Sequence, residues 1–247
     1  MIGTLYVGTS GFSYPGWAPR FYPRGLRDDG LLRHYASRFP AVELNNTYYQ
    51  RPSAARVAGW LAATPPTFRF VVKAQRGGSY RLYSGTAGSA EWLTAPLRAF
   101  GDRLGAVLLR IPDQIRRDDP RLEGLLAAWP RDLPLVCELG HSSWHDDEVF
   151  DRLREAGAVL CPTALPGADA PPTLRLIGTF LYLRLRRHEY APAEIEAWAA
   201  RLVPFLEVGH DAFVFFRHDE SGQATEFAAG LRAAVEGGLG WPDRPGG

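Results

Sequence analysis

Short apolar runs recur along the chain, at Leu5–Gly8, Ala41–Leu44, Phe68–Lys73, Ala106–Ile111, Leu135–Glu138, Ala158–Cys161, Phe180–Leu185 and Ala212–Phe216. They are short and rich in β-branched or aromatic residues, the pattern of strands buried on both faces. Between most of them, apolar positions repeat at three and four, the period of a helix with one buried face. Such segments are "DDGLLRHYASRF", "SAARVAGWLAA", "PRLEGLLAAW", "DDEVFDRLREAG", "APAEIEAWAARLVPFL" and "QATEFAAGLRAAV", and a further helix is expected near Ala90–Phe100. Ser53 is placed to cap the second of these. The stretch "PTALPGADAPPTLRLIG" has almost no helical pattern.

Strand–helix alternation predicts a parallel sheet covered by helices. Eight such units in 247 residues fit an α/β fold of one particular kind, a single (β/α)8 TIM-type barrel. The barrel would span residues 1–240, with a long first strand–helix loop, a sixth helix reduced or absent, and a loose tail at 241–247. A doubly wound open sheet is the rival. The first loop, "GTSGFSYPGW", argues against it, because it lacks a dinucleotide fingerprint and does not run directly into a helix.

A barrel of this kind collects its functional groups at the C-terminal ends of its strands. Polar residues occur there repeatedly: Ser10, Glu43, Asn45, Lys73, Arg110, Glu138, His141, Arg184, Arg186 and Arg217. Alternation puts Glu43 and Asn45 on one strand face, and Arg184 and Arg186 on another. An interior charge needs a partner, and Lys73, on the next strand, is the partner expected for Glu43. Lys73 is also the only lysine beside 27 arginines. A compact amine that can lose its proton suits Schiff-base or general-base chemistry. The arginines of "RLRLRRHEY", with Arg217 and His218, form a candidate anion cradle. Phe12, Tyr14, Trp17, Phe21 and Tyr22 of the first loop are candidates for stacking on a ligand, with Tyr14, Trp17 and Tyr49 expected among the substrate-binding residues. Alternatively, the first loop is a lid packed over the barrel mouth. His141 and His145 have a spacing compatible with a metal, but "HSSWHDDE" reads better as a helix start capped by Ser142 or Ser143.

Bulk properties exclude several classes. A net charge of +1 gives no field favouring nucleic acid or a membrane surface. No apolar run approaches the ~18 residues of a membrane span. The first residues lack a signal-peptide core, so a cytoplasmic location is expected, with Cys137 and Cys161 as buried thiols. A monomer is expected, without metal or cofactor.

The motifs "VGTSGFSYPGW", "FYPRGL", "YASRFPAVELNNTYYQRPS", "FRFVVKAQR", "LGAVLLRIP" and "CELGHSSW" together resemble the family termed domain of unknown function 72, the YecE-like proteins. The resemblance covers nearly the whole chain in order and implies a TIM-type barrel without specifying a reaction. It carries over to Ser10, Gly11, Tyr14, Trp17, Glu43, Asn45, Thr47, Tyr49, Lys73, Glu138, His141, Trp144 and Arg184. Other positions depart from the family pattern: Ser79-Tyr80, Gly140, Ala164, Arg186-Arg187, Arg217 and Phe227.

Two functions are consistent with these residues. One is a metal-independent hydrolase, lyase or isomerase acting on a small polar or anionic molecule, sugar- or phosphate-containing. Glu43 and Glu138 would serve as acid–base groups, Lys73 as an electrostatic or covalent catalyst, and the arginines as clamps. The other is a degenerate barrel that binds an anion or a nucleic-acid end without chemistry.

Overall fold

Strands and helices alternate as the apolar pattern predicts. The computed structural model describes residues 1–27, 29–164 and 171–239. The strands are β1 (Leu5–Thr9), β2 (Ala41–Leu44), β3 (Arg69–Lys73), β4 (Leu104–Ile111), β5 (Leu135–Leu139), β6 (Val159–Leu160), β7 (Thr163–Ala164), β8 (Leu181–Leu185) and β9 (Ala212–Phe216). The helices are α1 (Asp29–Ala36), α2 (Ala54–Ala62), α3 (Arg76–Tyr83), α4 (Ser89–Thr94), α5 (Asp119–Ala128), α6 (Asp147–Glu155), α7 (Pro192–Glu207) and α8 (Gln223–Gly238).

The strands form two parallel sheets, ordered β1-β9-β8-β7 and β2-β3-β4-β5-β6. The expected single ladder of eight strands is therefore not what the hydrogen bonds draw. The sixth apolar run gives only β6, which pairs with β5, and the ladder breaks before β7, which lies beyond the run and pairs with β8. The division falls at Cys161-Pro162, and proline has no N–H to give to a ladder. At the other junction, one bridge links Ser10 to Glu43, and Gly11 N–H donates to the Glu43 carbonyl at 2.7 Å.

Alternation sorts the strand residues into two cores. Val42, Val72, Val107, Leu183, Val214 and their neighbours pack outward against the helices. Ala41, Val71, Leu108, Val136, Tyr182 and Phe215, drawn from both sheets, form a smaller inner core. Farther along the same inner faces the residues turn polar, at Ser10, Glu43, Lys73, Arg110, Glu138, Arg184 and Arg217.

Local signals set several helix ends. Ser53 Oγ accepts from Arg56 N–H and caps α2, as expected. Helix α6 is capped by Asp146, whose side chain accepts from Glu148 N–H, and not by Ser142 or Ser143. Helix α3 has no counterpart in the expected pattern, because "RGGSYRLY" holds two glycines. Packing explains one of them: a Cβ at Gly78 would lie 2.7 Å from the Trp92 ring. The described part of the sixth gap, 171–180, carries no helix. The tail at 241–247 lies outside the described residues. Cys137 and Cys161 are both buried, and no described helix is long and apolar enough to cross a membrane.

Candidate functional site

Glu43 is fully buried, and its carboxylate is saturated. Oε1 accepts from Ser10 Oγ at 2.6 Å and from Arg184 Nη2 at 2.9 Å. Oε2 accepts from the Tyr182 hydroxyl at 2.6 Å. Burial pushes this carboxyl up, but Arg184, Ser10 and Tyr182 together pull it down, so its pKa lies below the ordinary value. These three contacts also give Glu43 a structural part. It is an anchor that fixes β1, β2 and β8 to one another at the strand ends.

Arg184 is the centre of the arrangement. Its Nη1 donates to Glu138 Oε2 at 2.6 Å, so one guanidinium joins two interior carboxylates. The carboxylates outweigh the cost of its burial and hold its pKa above the usual range. Glu138 also has Arg110 Nε at 3.8 Å and Arg186 Nη1 at 3.9 Å. The expected Glu43–Lys73 ion pair is not formed. Arg184, from a strand not adjacent to β2, reaches across the interior and takes that place.

Lys73 points elsewhere. Its Nζ lies 4.4 Å from the centre of the Tyr48 ring, and its backbone carbonyl is 2.7 Å from the Thr47 hydroxyl. The side chain is half-buried. Burial and Arg184 lower its pKa, and Glu43 and Glu138 only partly oppose them.

Lys73 and Arg184 border a cavity of about 470 Å³ at the C-terminal ends of the strands. Its lining includes Lys73, Arg184, Arg186, Arg217 and His218, and among the described residues no carboxylate. The interior therefore carries an excess of cations, with the carboxylates behind Arg184. Burial and then Arg184 lower the Arg186 pKa, and burial with Arg217 and Arg186 lowers that of His218. Tyr14 stacks on His218, with ring centroids 4.7 Å apart and planes 5° from parallel. Tyr14 can lie there because Gly11 has a φ of 89°, and a Cβ on Gly11 would meet the Tyr14 hydroxyl and Cε2. Two buried lining atoms, Asn45 Oδ1 and His218 Nδ1, have no hydrogen-bond partner among the described residues. A second cavity, about 460 Å³, adjoins the first and shares Tyr48, Tyr49 and Lys73 with it. Its remaining lining includes Tyr80, Tyr83, Leu109 and Ile111.

The sequence profile described as "Protein of unknown function DUF72" matches residues 6–245. The chain belongs to the DUF72 family. It is 24% identical over 262 residues to the UPF0759 protein YunF of Bacillus subtilis (strain 168), covering 90% of this chain and 91% of that one. The crystal structure of a DUF72 family protein from Thermotoga maritima superposes with a TM-score of 0.82 at 26% identity, covering 94% of this chain and 99% of that one. A DUF72 family protein from Enterococcus faecalis V583 gives 0.79 at 22% identity, covering 94% and 96%, a likeness of fold alone.

In this DUF72 chain, Ser10, Tyr14, Asn45, Tyr49, Lys73, Arg184, Arg186 and Arg217 line the cationic cavity. Two residues expected to bind a ligand, Trp17 and His141, are not in that lining. Trp17 is fully buried, and its Nε1 donates to the Asp219 carbonyl at 2.7 Å, so it anchors the first loop beside α8. His141 accepts from Ser143 N–H through Nδ1 at 3.0 Å and closes a turn. Arg187 pairs with Glu194. Glu138 faces a separate cavity with Cys161 and Arg175. Tyr182 was missed as a site residue, although its sharing a strand face with Arg184 was readable from alternation. Phe12 and Tyr48 also line this cavity.

Proposed function

We propose that this DUF72 protein binds a small anionic, hydroxyl-bearing molecule at the cationic mouth of a (β/α)8 barrel. The single observation that carries this reading is a cavity lined by Lys73, Arg184, Arg186 and Arg217 with no carboxylate among its described lining. Arg184 and Arg186 are partly neutralised by Glu43 and Glu138 behind them, but Lys73 and Arg217 have no described carboxylate within ion-pair distance, and cations in a half-enclosed site favour an anion more than they would in open water. Arg186 and Arg217 offer planar forks suited to phosphate or carboxylate. The bare acceptor Asn45 Oδ1 supports a ligand that also donates a hydrogen bond, as a hydroxyl does.

The barrel is part of the proposal. The two parallel sheets would be one barrel spanning 1–240, with β6 and β7 as a sixth strand bent at Pro162. The inner core contributed by both sheets supports it, as does the Ser10–Glu43 bridge at the junction of β1 and β2. Such a barrel presents its ligand site at the C-terminal mouth. A second reading, binding without turnover, is favoured by the saturation of Glu43, which leaves the cavity without a free carboxylate base.

Thermal unfolding with added phosphate, sulfate and sugar phosphates tests the proposal. A ligand at 100 times its Kd stabilises the fold by about 2.7 kcal/mol. Arg186→Ala and Arg217→Ala should abolish that gain, while Arg187→Ala, outside the cavity, should keep it. Equal gains in all three variants would sink the site. Loss of ligand over time, followed by phosphorus NMR, separates turnover from binding.

A further inference from the structure

Lys73 stands at the wall shared by the two cavities. A ligand with its anion among Arg186 and Arg217, extending toward Tyr80 and Tyr83, would pass its middle across the Lys73 amine. No described carboxylate comes within ion-pair distance of that amine, and its near contact is the Tyr48 ring face at 4.4 Å. Lys73 and Tyr48 both belong to the lining of the two cavities. Arginine serves every other basic position in the chain. A site needing only fixed positive charge could have been filled in the same way. What lysine alone supplies is an amine that can lose its proton and attack carbon. Its surroundings help, since burial and Arg184 favour the neutral form.

We propose that the Lys73 amine forms an imine with a phosphate- or carboxylate-bearing aldehyde or ketone bound in the cationic cavity. This rests on the anion site described above and narrows its ligand class. The lone pair on Nζ attacks the carbonyl carbon, and the carbonyl π pair moves to oxygen, which takes up a proton. The nitrogen sheds a proton, giving a neutral carbinolamine. The carbinolamine oxygen then leaves as water after protonation, and the second nitrogen proton is released as the C=N bond closes. The balance is one amine and one carbonyl giving one imine and one water, with no oxidant or reductant.

Because Lys73 is the only lysine, the imine can be assigned without ambiguity. The full chain is incubated with dihydroxyacetone phosphate, with pyruvate, or with neutral dihydroxyacetone, and then treated with borohydride. Peptide masses distinguish adducts on Lys73 from those on the N-terminal amine. At least one anionic probe should label Lys73 at least tenfold more than the neutral probe, and which one does so separates phosphate from carboxylate recognition. Excess inorganic phosphate and Arg217→Ala should each suppress that labelling, and Lys73→Arg should remove it. No Lys73 adduct, or equal labelling by the neutral probe, overturns the proposal. If anion-induced stabilisation still depends on Arg186 and Arg217 in that case, the imine has failed and the anion site has not. Labelling of Lys73 that neither phosphate nor Arg217→Ala reduces would count against both.

Discussion

Arg184→Met removes the guanidinium that joins Glu43 to Glu138. The two carboxylates respond differently. Glu138 keeps Arg110 at 3.8 Å and Arg186 at 3.9 Å. Glu43, fully buried, loses the one cation within ion-pair distance among the described residues. Breaking a buried pair by removing one partner costs about 3–5 kcal/mol. At about 2–4 °C per kcal/mol for a chain of this size, Tm should fall by about 6–20 °C. Circular dichroism melts at neutral pH measure this. Adding Glu43→Gln to Arg184→Met should recover a large part of the loss, and adding Glu138→Gln should recover less. The pH dependence has a definite sign. In the native protein the folded pKa of Glu43 is depressed, so its stabilisation is present above the unfolded pKa and is lost as pH falls through the folded value. Without Arg184 the largest effect opposing burial is gone, so Glu43 is less depressed in the variant than in the native protein. The gap between the two melting temperatures should therefore narrow as pH falls below the unfolded carboxylate value toward the folded one. A Tm loss below about 2 °C, with no convergence, would refute the claim that Arg184 neutralises a buried Glu43.

Two further outcomes are expected. A Cβ at Gly8 would meet the Ala41 carbonyl and sit 2.6 Å from the Tyr35 hydroxyl, so Gly8→Ala should cost about 1–3 kcal/mol in chemical denaturation; an unchanged midpoint would show that β1 can shift freely past β2. Asp219 accepts from Ser221, Gln223 and Ala224 N–H at 2.7, 3.1 and 2.6 Å and so caps α8. Asp219→Ala should cost about 1–2 kcal/mol at pH 7. Burial raises the Asp219 pKa, but these N–H donors lower it further, so the difference should vanish as pH falls through the folded value.

The strand–helix order was legible because each buried strand is a short apolar run and each helix shows one apolar stripe. Glu43 was legible as an interior charge for the same reason: it interrupts a run in which every other position is apolar. Its partner was not. Sequence neighbourhood suggested Lys73 on the next strand, whereas Arg184 reaches it from β8, and side-chain reach across an interior leaves no local trace. Trp17 illustrates a second limit. An aromatic residue in a proline-rich loop reads equally as lid or anchor, and its bond to the Asp219 carbonyl spans 202 positions. His141 is similar, since its turn-closing bond to Ser143 looks the same in sequence as a ligand-facing histidine. The division of the sixth strand was marked by Pro162, a residue that cannot donate to a ladder.

The central claim is that a small oxyanion belongs in the cavity bordered by Lys73, Arg186 and Arg217. Crystals of the protein grown or soaked in tungstate test it most directly, because anomalous scattering places the ion without reference to any assumed ligand. The account predicts a peak inside that cavity within hydrogen-bond reach of Arg186 and Arg217, lost in Arg217→Ala. An unlabelled cavity at saturating tungstate, or peaks confined to exposed arginines such as Arg187, would contradict it.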